Sequence, residues 1–508
     1  MKGSSEQMTN KLDRIQNDML RDRVVTAEEA ASWIEDGMTL GLSGFTLSGD
    51  AKAVPDALVE RVKNGDKVKV NVYTGASLGS ETDSKLSTNG VLNKRLPFQA
   101  DRALRGEINK GSLLYVDQHL SQTAEYVRQG VLPHIDFAIL EASAVEEDGT
   151  IIPTTSVGNS SIFAEKADKI ILEINVAQPD FTGMHDIYVP GEQGKRDPIA
   201  LTAASDRIGH HGIKVDPEKI AGIVFTDQAD TPSPNAGPDE ETKTMARHLI
   251  SFLAKEVEEG RLTKELLPLQ AGIGSQANAV LYGLLESDFE NLEVYSEVIQ
   301  DAMFDLLDAG KLQFASATSI TITEEKMKEV YGRMEDYKDK IVLRPQEISN
   351  HPEIIRRIGI IGINTALEFD IYGNVNSTHV MGTNMMNGIG GSGDFARNAR
   401  IAIFVTKSVA KDGKISSVVP MVSHTDHTEH DVDVLVTEHG YADLRGLAPR
   451  ERAPLIIQNC AHPDFRDELM AYYEEAVEKV GGQTPHILEK AFDFHTRLRD
   501  TGTMHEEK

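Results

Sequence analysis

The sequence contains one cysteine, Cys460, among its 508 residues. A lone cysteine excludes intramolecular disulfides and cysteine-ligated metal clusters, and it is typical of proteins from a reducing compartment. No apolar run approaches the ~18 residues that would suggest a membrane-spanning helix. The first 18 residues mix charges of both signs and lack the apolar core of a secretory signal. These absences predict a soluble, cytoplasmic protein without a membrane partner.

Basic residues are scarce, since 52 Lys and Arg stand against 80 Asp and Glu, for a net charge of −28. A nucleic-acid partner is therefore excluded, because nucleic-acid binding needs a basic face. An anionic ligand would have to be held by local donors such as backbone N–H groups, because the overall field opposes its approach. No metal site is predicted: His424, His427 and His430 fit no ligand spacing, and neighbouring acidic residues favour a structural role for them.

Short β-branched runs alternate with amphipathic stretches along the chain, which predicts an α/β fold. At ~100–200 residues per domain, the length predicts two to four units. We predict strands over 38–42, 69–73, 137–140, 169–173, 292–295, 341–343, 401–405 and 432–436. We predict helices over 27–35, 55–62, 240–258 and 464–479. The third of these helices has a predicted core-facing stripe of Met245, Leu249, Phe252, Leu253 and Val257.

Residues 227–239 contain three prolines and almost no apolar side chains. This composition indicates a linker, and we predict domains over 1–226 and 240–508 on either side of it. A long functional loop is the alternative interpretation.

A first glycine cluster, Gly272–Gly274 followed by Ala277, fits the pattern G-x-G-x-x-A. Glycines in this pattern allow a tight turn and a close approach of backbone N–H groups to a charged oxygen. Pro268 makes the preceding residues a poor central strand. Two interpretations stay open: a plain strand-to-helix turn, or a dinucleotide site in which Glu290 or Glu293 would contact the ribose.

Two glutamates follow predicted strands. Glu297 comes two residues after the strand that ends near Tyr295, and Glu438 follows another apolar strand. In open α/β sheets, ligands bind beyond the carboxyl ends of the strands. We expect Ser296 to cap a following helix, which would place Glu297 near a helix N-terminus that favours a carboxylate.

A second glycine cluster is more specific. Gly388, Gly390, Gly391 and Gly393 lie within six residues, a density unsuited to the interior of a helix or strand. Such a segment can form a concave nest of backbone amides that binds an anion. We predict this role for it.

Ten sequence motifs, in order from residue 43 to residue 447, resemble those of the acetyl-CoA hydrolase/transferase family. They are SGFT at 43–46, TGAS at 74–77, PTTSVGNS at 153–160, LPLQAGIG at 267–274, YSEVIQD at 295–301, LRPQEISNHPEIIRR at 343–357, DIYGNVNSTHV at 370–380, MNGIGGSGDFARN at 386–398, GKISSVVPM at 413–421 and TEHGYADLRGL at 437–447. An ordered set of this kind is far more specific than either glycine cluster alone.

The resemblance implies two tandem open α/β domains of the CoA-transferase fold, with the active site between them, in a homodimer. It implies transfer of CoA between a short-chain acyl-CoA and a carboxylic acid, such as succinyl-CoA and acetate. Glu297 of YSEV would attack the thioester to form an acyl-glutamyl anhydride and then a glutamyl-CoA thioester, by ping-pong kinetics. Coenzyme A is then a substrate, and no tightly bound cofactor is expected.

Further roles follow from the same resemblance. Ile273 and Gly391 would supply backbone donors to the tetrahedral oxyanion, and Asn350 and Glu438 would orient CoA or the nucleophile. The remaining CoA-binding positions would be Gly272, Gly274, Gly388 and Gly390. Three alternatives stay open: an acetyl-CoA hydrolase, an NAD-dependent dehydrogenase based on the first glycine cluster, and a CoA-binding protein that has lost activity.

Overall fold

The computed structural model describes residues 11–234 and 237–506. These residues form two units: the first comprises 11–234, 295–301 and 314–354, and the second 237–294, 302–313 and 355–506. The linker at 227–239 and the domains 1–226 and 240–508 stay predictions. Residues 1–10, 235–236 and 507–508 of those ranges lie outside the described residues.

The strands are β1 Thr39–Leu42, β2 Val70–Tyr73, β3 Leu92–Leu96, β4 Leu114–Tyr115, β5 Phe137–Ala142, β6 Ala144–Val145, β7 Ile151–Ile152, β8 Lys169–Asn175, β9 Ile220–Thr226, β10 Leu269–Ala271, β11 Leu292–Tyr295, β12 Val298–Ile299, β13 Leu312–Ala317, β14 Ser319–Ile320, β15 Ile341–Leu343, β16 Ile361–Thr365, β17 Glu368–Asp370, β18 Val375–Asn376, β19 His379–Val380, β20 Asn384–Met385, β21 Ile401–Val405, β22 Val409–Ala410, β23 Ile415–Ser416, β24 Val418–Val419, β25 Val434–Thr437 and β26 Gly440–Asp443. The helices are α1 Asp18–Arg21, α2 Ala27–Ser32, α3 Ala53–Lys63, α4 Thr82–Thr88, α5 Arg102–Lys110, α6 Gln122–Arg128, α7 Ser160–Lys166, α8 Glu240–Glu258, α9 Ser275–Leu285, α10 Asp301–Asp308, α11 Glu324–Tyr331, α12 Gln346–Ser349, α13 Pro352–Ile358, α14 Ser392–Asn398, α15 Pro449–Cys460, α16 Pro463–Lys479 and α17 Asp493–Thr501.

The first unit is built on a parallel sheet of seven strands in the order β4-β3-β2-β1-β5-β8-β9. In its centre, Leu40 of β1 pairs with Val72 of β2 and with Phe137 of β5. All four residues of β1 are buried, as expected for a parallel sheet covered on both faces. Gly41 is required there, because a Cβ atom would lie 2.7 Å from the Phe163 ring on α7.

In the second unit, six neighbouring strands of another large sheet follow the order β11-β10-β16-β21-β25-β26. Over the described residues, β25 pairs with β26 in antiparallel orientation, whereas the other neighbouring strands of this series pair in parallel. The expectation that the residues beside Pro268 make a poor central strand is wrong. Leu269 of β10 pairs with Val294 on one side and with Ile361 on the other. The proline is tolerated because it precedes the strand, where its missing N–H breaks no ladder bond.

The predicted α/β fold class is confirmed, and each predicted strand and helix overlaps an observed one. On α8, the predicted core stripe is buried at Met245, Leu249, Phe252 and Leu253. Val257 is only half-buried, which corrects that part of the prediction. No helix within 11–234 or 237–506 is long and apolar enough to span a membrane.

The start of the proline-rich segment is fixed on the first unit. The buried Asp230 forms a 3.1 Å ion pair with Lys52, and the Thr231 hydroxyl accepts a 2.6 Å hydrogen bond from the Ser80 N–H. Further along, the Ser233 N–H donates to the Ile322 carbonyl. These contacts order the segment as far as Ser233.

Candidate active site

Glu297 lies at the carboxyl end of β11, where three chain segments of the first unit come together. The Ser296 N–H donates to the Ser316 carbonyl at 2.9 Å, and the Arg344 N–H donates to the Ala317 carbonyl at 2.8 Å. The residues that follow β11, β13 and β15 therefore meet at one sheet edge, as they do in ligand-binding α/β sheets. The predicted position of Glu297 at a strand end is confirmed.

The local structure after Glu297 differs from the prediction. Ser296 does not cap a helix, because Val298 and Ile299 form the short strand β12, which pairs with β14. The Glu297 carbonyl accepts hydrogen bonds from the N–H groups of Thr318 at 2.9 Å and Ser319 at 3.1 Å. Glu297 thus lies in a bend between two strands, and the next helix begins only at Asp301.

The Glu297 side chain is almost completely removed from water, with 9% of the residue exposed. Burial raises the pKa of its carboxyl to about 7, and a hydrogen bond from Asn350 acts in the opposite direction. The Asn350 Nδ2 donates to Glu297 Oε1 at 2.7 Å. A buried carboxyl whose pKa lies near neutrality is a candidate for catalysis.

Asn350 reaches Glu297 from the end of α12, a single turn that follows β15. Its own N–H donates to the Gln346 carbonyl at 2.8 Å, which fixes the residue as the C-cap of this turn. The Tyr295 hydroxyl donates to the Ile348 carbonyl at 2.5 Å. Two hydrogen bonds therefore join the end of β11 to α12 and its C-cap: one from the Tyr295 hydroxyl, and one to the Glu297 carboxylate.

Sequence patterns missed the residues that support this pair. The buried Arg344 forms an ion pair with Asp186 and donates to the Ser316 hydroxyl at 2.8 Å. A second buried pair joins Arg128 to Glu347, which lie 219 residues apart. Arg344 and Glu347 lie in the motif at 343–357, but nothing in the sequence identifies their partners.

The first glycine cluster joins β10 to α9 in the second unit. The Gly272 N–H donates to the Ile363 carbonyl at 2.8 Å, so this donor is already engaged by the sheet. Ile273 follows with 45% of the residue exposed. Gly274 has a φ of +126°, a conformation that favours glycine, and the helix begins at Ser275.

The second glycine cluster precedes α14 in the same unit. Gly388, Gly390 and Gly391 are buried and lie before the helix, with Gly391 as its N-cap. Gly393 lies inside the helix, which corrects the expectation that none of the four glycines is helical. The Ser392 hydroxyl closes the turn by donating to the Ile389 carbonyl at 2.7 Å.

Glu438 follows β25, as predicted, and is engaged by Ser408. One carboxylate oxygen accepts a 2.8 Å hydrogen bond from the Ser408 N–H, and the other accepts from the Ser408 hydroxyl. The Nε2 atom of His439 lies 3.5 Å from Glu438 Oε1. The Glu438 carboxylate is thus oriented by its own unit.

The three clustered histidines differ in burial and in contacts. His424 Nε2 lies 3.3 Å from Asp426 Oδ1, and the His424 ring packs on the His379 ring with 3.8 Å between centroids. His427 is buried against the Phe404 ring, with 4.7 Å between ring centroids, and its Nε2 lies 3.0 Å from the Ser392 hydroxyl. His430 is exposed. Among the predicted site residues, the first unit therefore brings together Glu297 and Asn350, while the second carries the glycine clusters and Glu438.

Comparisons with known proteins identify the family of the chain. The acetyl-CoA hydrolase/transferase N-terminal domain matches residues 8–225, and the C-terminal domain of the same name matches residues 327–473. A succinyl-CoA:acetate CoA-transferase from Clostridium kluyveri is 54% identical over 493 residues, which are 97% of this chain and 92% of that protein. An acetyl-CoA hydrolase from Candida glabrata is 44% identical over 501 residues, which are 95% of each chain.

The crystal structure of RipA from Yersinia pestis shares the fold, with a TM-score of 0.69 at 23% identity. The match covers 89% of this chain and 97% of RipA. The two domain matches and the 54% identity over 97% of the chain show the family: the chain is an enzyme of the acetyl-CoA hydrolase/transferase family.

Proposed function

We propose that the enzyme moves CoA between a short-chain acyl-CoA and a carboxylic acid, with succinyl-CoA and acetate as a substrate pair and Glu297 as the nucleophile. The observation that carries the proposal is the buried Glu297 carboxyl, hydrogen-bonded to Asn350 at 2.7 Å. The substrate pair is that named for the Clostridium kluyveri relative.

The proposed reaction begins when a Glu297 carboxylate oxygen attacks the thioester carbonyl carbon. The C–S bond breaks, the CoA thiolate leaves, and an acyl-glutamyl anhydride forms. The thiolate then attacks the Glu297 carbonyl carbon of the anhydride and releases the first carboxylate, which leaves a glutamyl-CoA thioester. A second carboxylate repeats the two steps in reverse and departs as the new acyl-CoA.

The surroundings of Glu297 suit a nucleophile. Its carboxyl is desolvated, and within the described residues no basic side chain forms an ion pair with it. A cation would lower the pKa of the carboxyl and its reactivity toward a carbonyl, whereas a neutral amide orients one oxygen at a smaller cost. Asn350 therefore serves as an orienting donor in the proposed mechanism.

Each attack passes through a tetrahedral oxyanion, which backbone N–H groups can stabilise. We assign this role to Ile273 and Gly391, as the family resemblance implies. The engagement of the Gly272 N–H by Ile363 supports Ile273 over its neighbour as the donor in the first cluster.

The other positions have binding roles in the proposal. Small residues allow the CoA arm to approach the backbone closely, and Glu438, held by Ser408, orients CoA. The proposed CoA-contacting glycines are Gly272, Gly274, Gly388 and Gly390. A homodimer is also proposed, and analytical ultracentrifugation of the full chain tests it.

Acetyl-CoA hydrolysis is the second candidate, because a relative of that name is 44% identical over 95% of each chain. Water would replace the second carboxylate, and the same Glu297 intermediate would be consumed. Exclusion of water from the intermediates favours transfer.

The test is acetyl-CoA formation from succinyl-CoA, with and without acetate, by the unmodified enzyme and by Glu297→Ala. Acetate-dependent acetyl-CoA that is lost in the variant supports transfer by Glu297. Equal thioester loss without acetate indicates a hydrolase. Full activity of the variant would refute the role of Glu297.

A further inference from the structure

Asn350 depends on a helix that has little stability of its own. The helix α12 has four residues, all buried, and its N-cap Pro345 makes no side-chain capping bond. A single helical turn is unstable in isolation, because nucleation costs more than one turn of hydrogen bonds returns. The position of Asn350 is therefore set by contacts that α12 makes with other elements.

The strongest of these contacts is a buried ion pair. The Arg128 Nη2, in the last turn of α6, lies 2.9 Å from each carboxylate oxygen of Glu347. Only 6% of the Arg128 side chain and 3% of the Glu347 side chain are exposed. Arg128 also lies 3.2 Å from Glu125, which pairs with Arg196. The side chains of Arg196, Glu125, Arg128 and Glu347 thus form a row of alternating charge. Arg128 is held by a carboxylate on each side.

We infer that Arg128 and Glu347 are positioning residues that hold Asn350 against Glu297. This inference rests on the proposed function, because it assigns the pair a role in placing the nucleophile. Glu347 and Asn350 lie three residues apart at the end of one turn, so a shift of Glu347 moves Asn350 with it.

The expected effect on catalysis follows from the length of the hydrogen bond between Asn350 and Glu297. A hydrogen bond of 2.7 Å is lost when its atoms separate by about 1 Å, and a misplacement of that size can lower catalysis about 100-fold. Replacing one partner of a buried ion pair leaves the other charge uncompensated, so α12 must shift or admit water. Three other anchors remain: from the Tyr295 hydroxyl to the Ile348 carbonyl, from Gln346 Nε2 to the Leu120 carbonyl at 3.1 Å, and from the Gln346 N–H to the Gly158 carbonyl at 2.9 Å. They limit the shift and preserve the fold.

The variant Glu347→Gln tests the inference, and Glu256→Gln is its matched control. The Glu256 side chain is as buried as that of Glu347 and, in the second unit, accepts from Arg445 at 2.8 and 3.1 Å and from Arg261 at 2.9 Å. We expect Glu347→Gln to lower kcat by about 10-fold or more, by loss of orientation, and to change KM for succinyl-CoA by less than about 3-fold. Glu256→Gln should leave kcat within about 2-fold of the unmodified enzyme.

The pH profile separates positioning from a direct charge effect. Loss of the Asn350 hydrogen bond raises the pKa of Glu297, so the acid limb of kcat should move to higher pH. Removal of the Glu347 negative charge by itself would move that limb to lower pH. A purely structural role would leave its position unchanged.

Arg128→Lys provides a second variant that keeps the charge but has a single nitrogen, so it cannot reproduce the separate contacts of Nη2 with Glu347 and Nη1 with Glu125. We expect a smaller fall in kcat and a smaller upward shift of the acid limb than in Glu347→Gln. An unshifted acid limb in both variants, or equal losses in Glu256→Gln, would overturn the inference. Failure of the proposed function is distinguishable, since it appears in the unmodified enzyme as an absence of acetate-dependent acetyl-CoA formation.

Discussion

Asn350 donates a 2.7 Å hydrogen bond to Glu297 across 53 residues of sequence, at an edge where three strand ends meet. The acceptor is a carboxyl that burial makes harder to ionise. The donor is neutral, so it orients the carboxylate without forming an ion pair. This combination of a buried carboxyl and a neutral donor is what the proposed attack on a thioester requires.

Activity should depend on ionisation of Glu297. In the proposed mechanism the carboxylate is the attacking form, and burial raises the pKa of this carboxyl to about 7. We therefore expect kcat to rise with pH through about 7 and to reach a plateau above about 8. The measurement is kcat with succinyl-CoA and acetate between pH 5 and 9, at saturating substrate. An acid limb near the ordinary glutamate value of about 4.3 would contradict the burial of this carboxyl.

Asn350→Ala should slow the reaction for two reasons: the Glu297 carboxylate loses its orientation, and the pKa of Glu297 rises. Because the hydrogen bond favours the ionised carboxyl, its removal should move the acid limb to higher pH. The loss in kcat should be about 10- to 100-fold. Asn376→Ala is the control, since Asn376 is buried and donates to Glu368 at 3.0 Å in the second unit. An unchanged acid limb in Asn350→Ala would contradict the assigned contact.

Arg344 should contribute strongly to stability. It is fully buried and pairs with Asp186, which also accepts from the Gly209 N–H at 2.7 Å. Arg344→Met leaves a buried carboxylate without its cation, and we expect a loss of about 3–5 kcal/mol in the free energy of unfolding. Equilibrium unfolding in urea measures this loss of stability.

The matched control for that variant is Arg333→Met, because Arg333 is half-exposed and pairs with Asp336 at 3.0 Å. An exposed ion pair is worth about 1 kcal/mol or less, so this change should be small. Equal effects of the two variants would show that burial of the Arg344 pair is immaterial.

The stability of Lys52→Met should depend on pH. The Lys52 ammonium lies 2.6 Å from Glu141, 3.1 Å from Asp230 and 3.5 Å from Asp50, all buried. Burial raises the pKa of Glu141 to about 8 and that of Asp50 to about 6, although Lys52 lowers both. Without the cation these groups must stay protonated in the folded state.

For carboxyls whose pKa is higher in the folded state than in the unfolded state, stability is retained at low pH and lost as pH rises. Lys52→Met should therefore be most destabilised above pH 8 and should approach the unmodified enzyme near pH 5. Thermal unfolding at pH 5, 7 and 8.5 measures this. A deficit that is constant with pH would contradict the role of Lys52 as counter-charge.

Local sequence patterns predicted the elements that carry the site. Apolar, β-branched residues define β11 and β25, so the strand-end positions of Glu297 and Glu438 followed from periodicity. The structure after Glu297 was predicted wrongly, because Val298 and Ile299 extend to pair with Ser319 and Ile320. That pairing joins residues twenty-one apart in sequence, and a local capping pattern carries no information about it.

Side-chain partners were less predictable still. The resemblance named Asn350, but no pattern in the sequence indicates that Arg128 binds Glu347 or that Tyr295 binds the Ile348 carbonyl. Such contacts depend on how distant segments pack. They become visible only when the strand ends are assembled in space.

The most direct test of the account is the mass of the enzyme during turnover. The enzyme is incubated with succinyl-CoA without acetate, quenched in acid, and digested for mass spectrometry, with Glu297→Gln treated in parallel. We predict a peptide containing Glu297 that carries CoA as a thioester, and its loss on addition of acetate. A CoA adduct on another residue, or the same adduct in Glu297→Gln, would contradict Glu297 as the nucleophile.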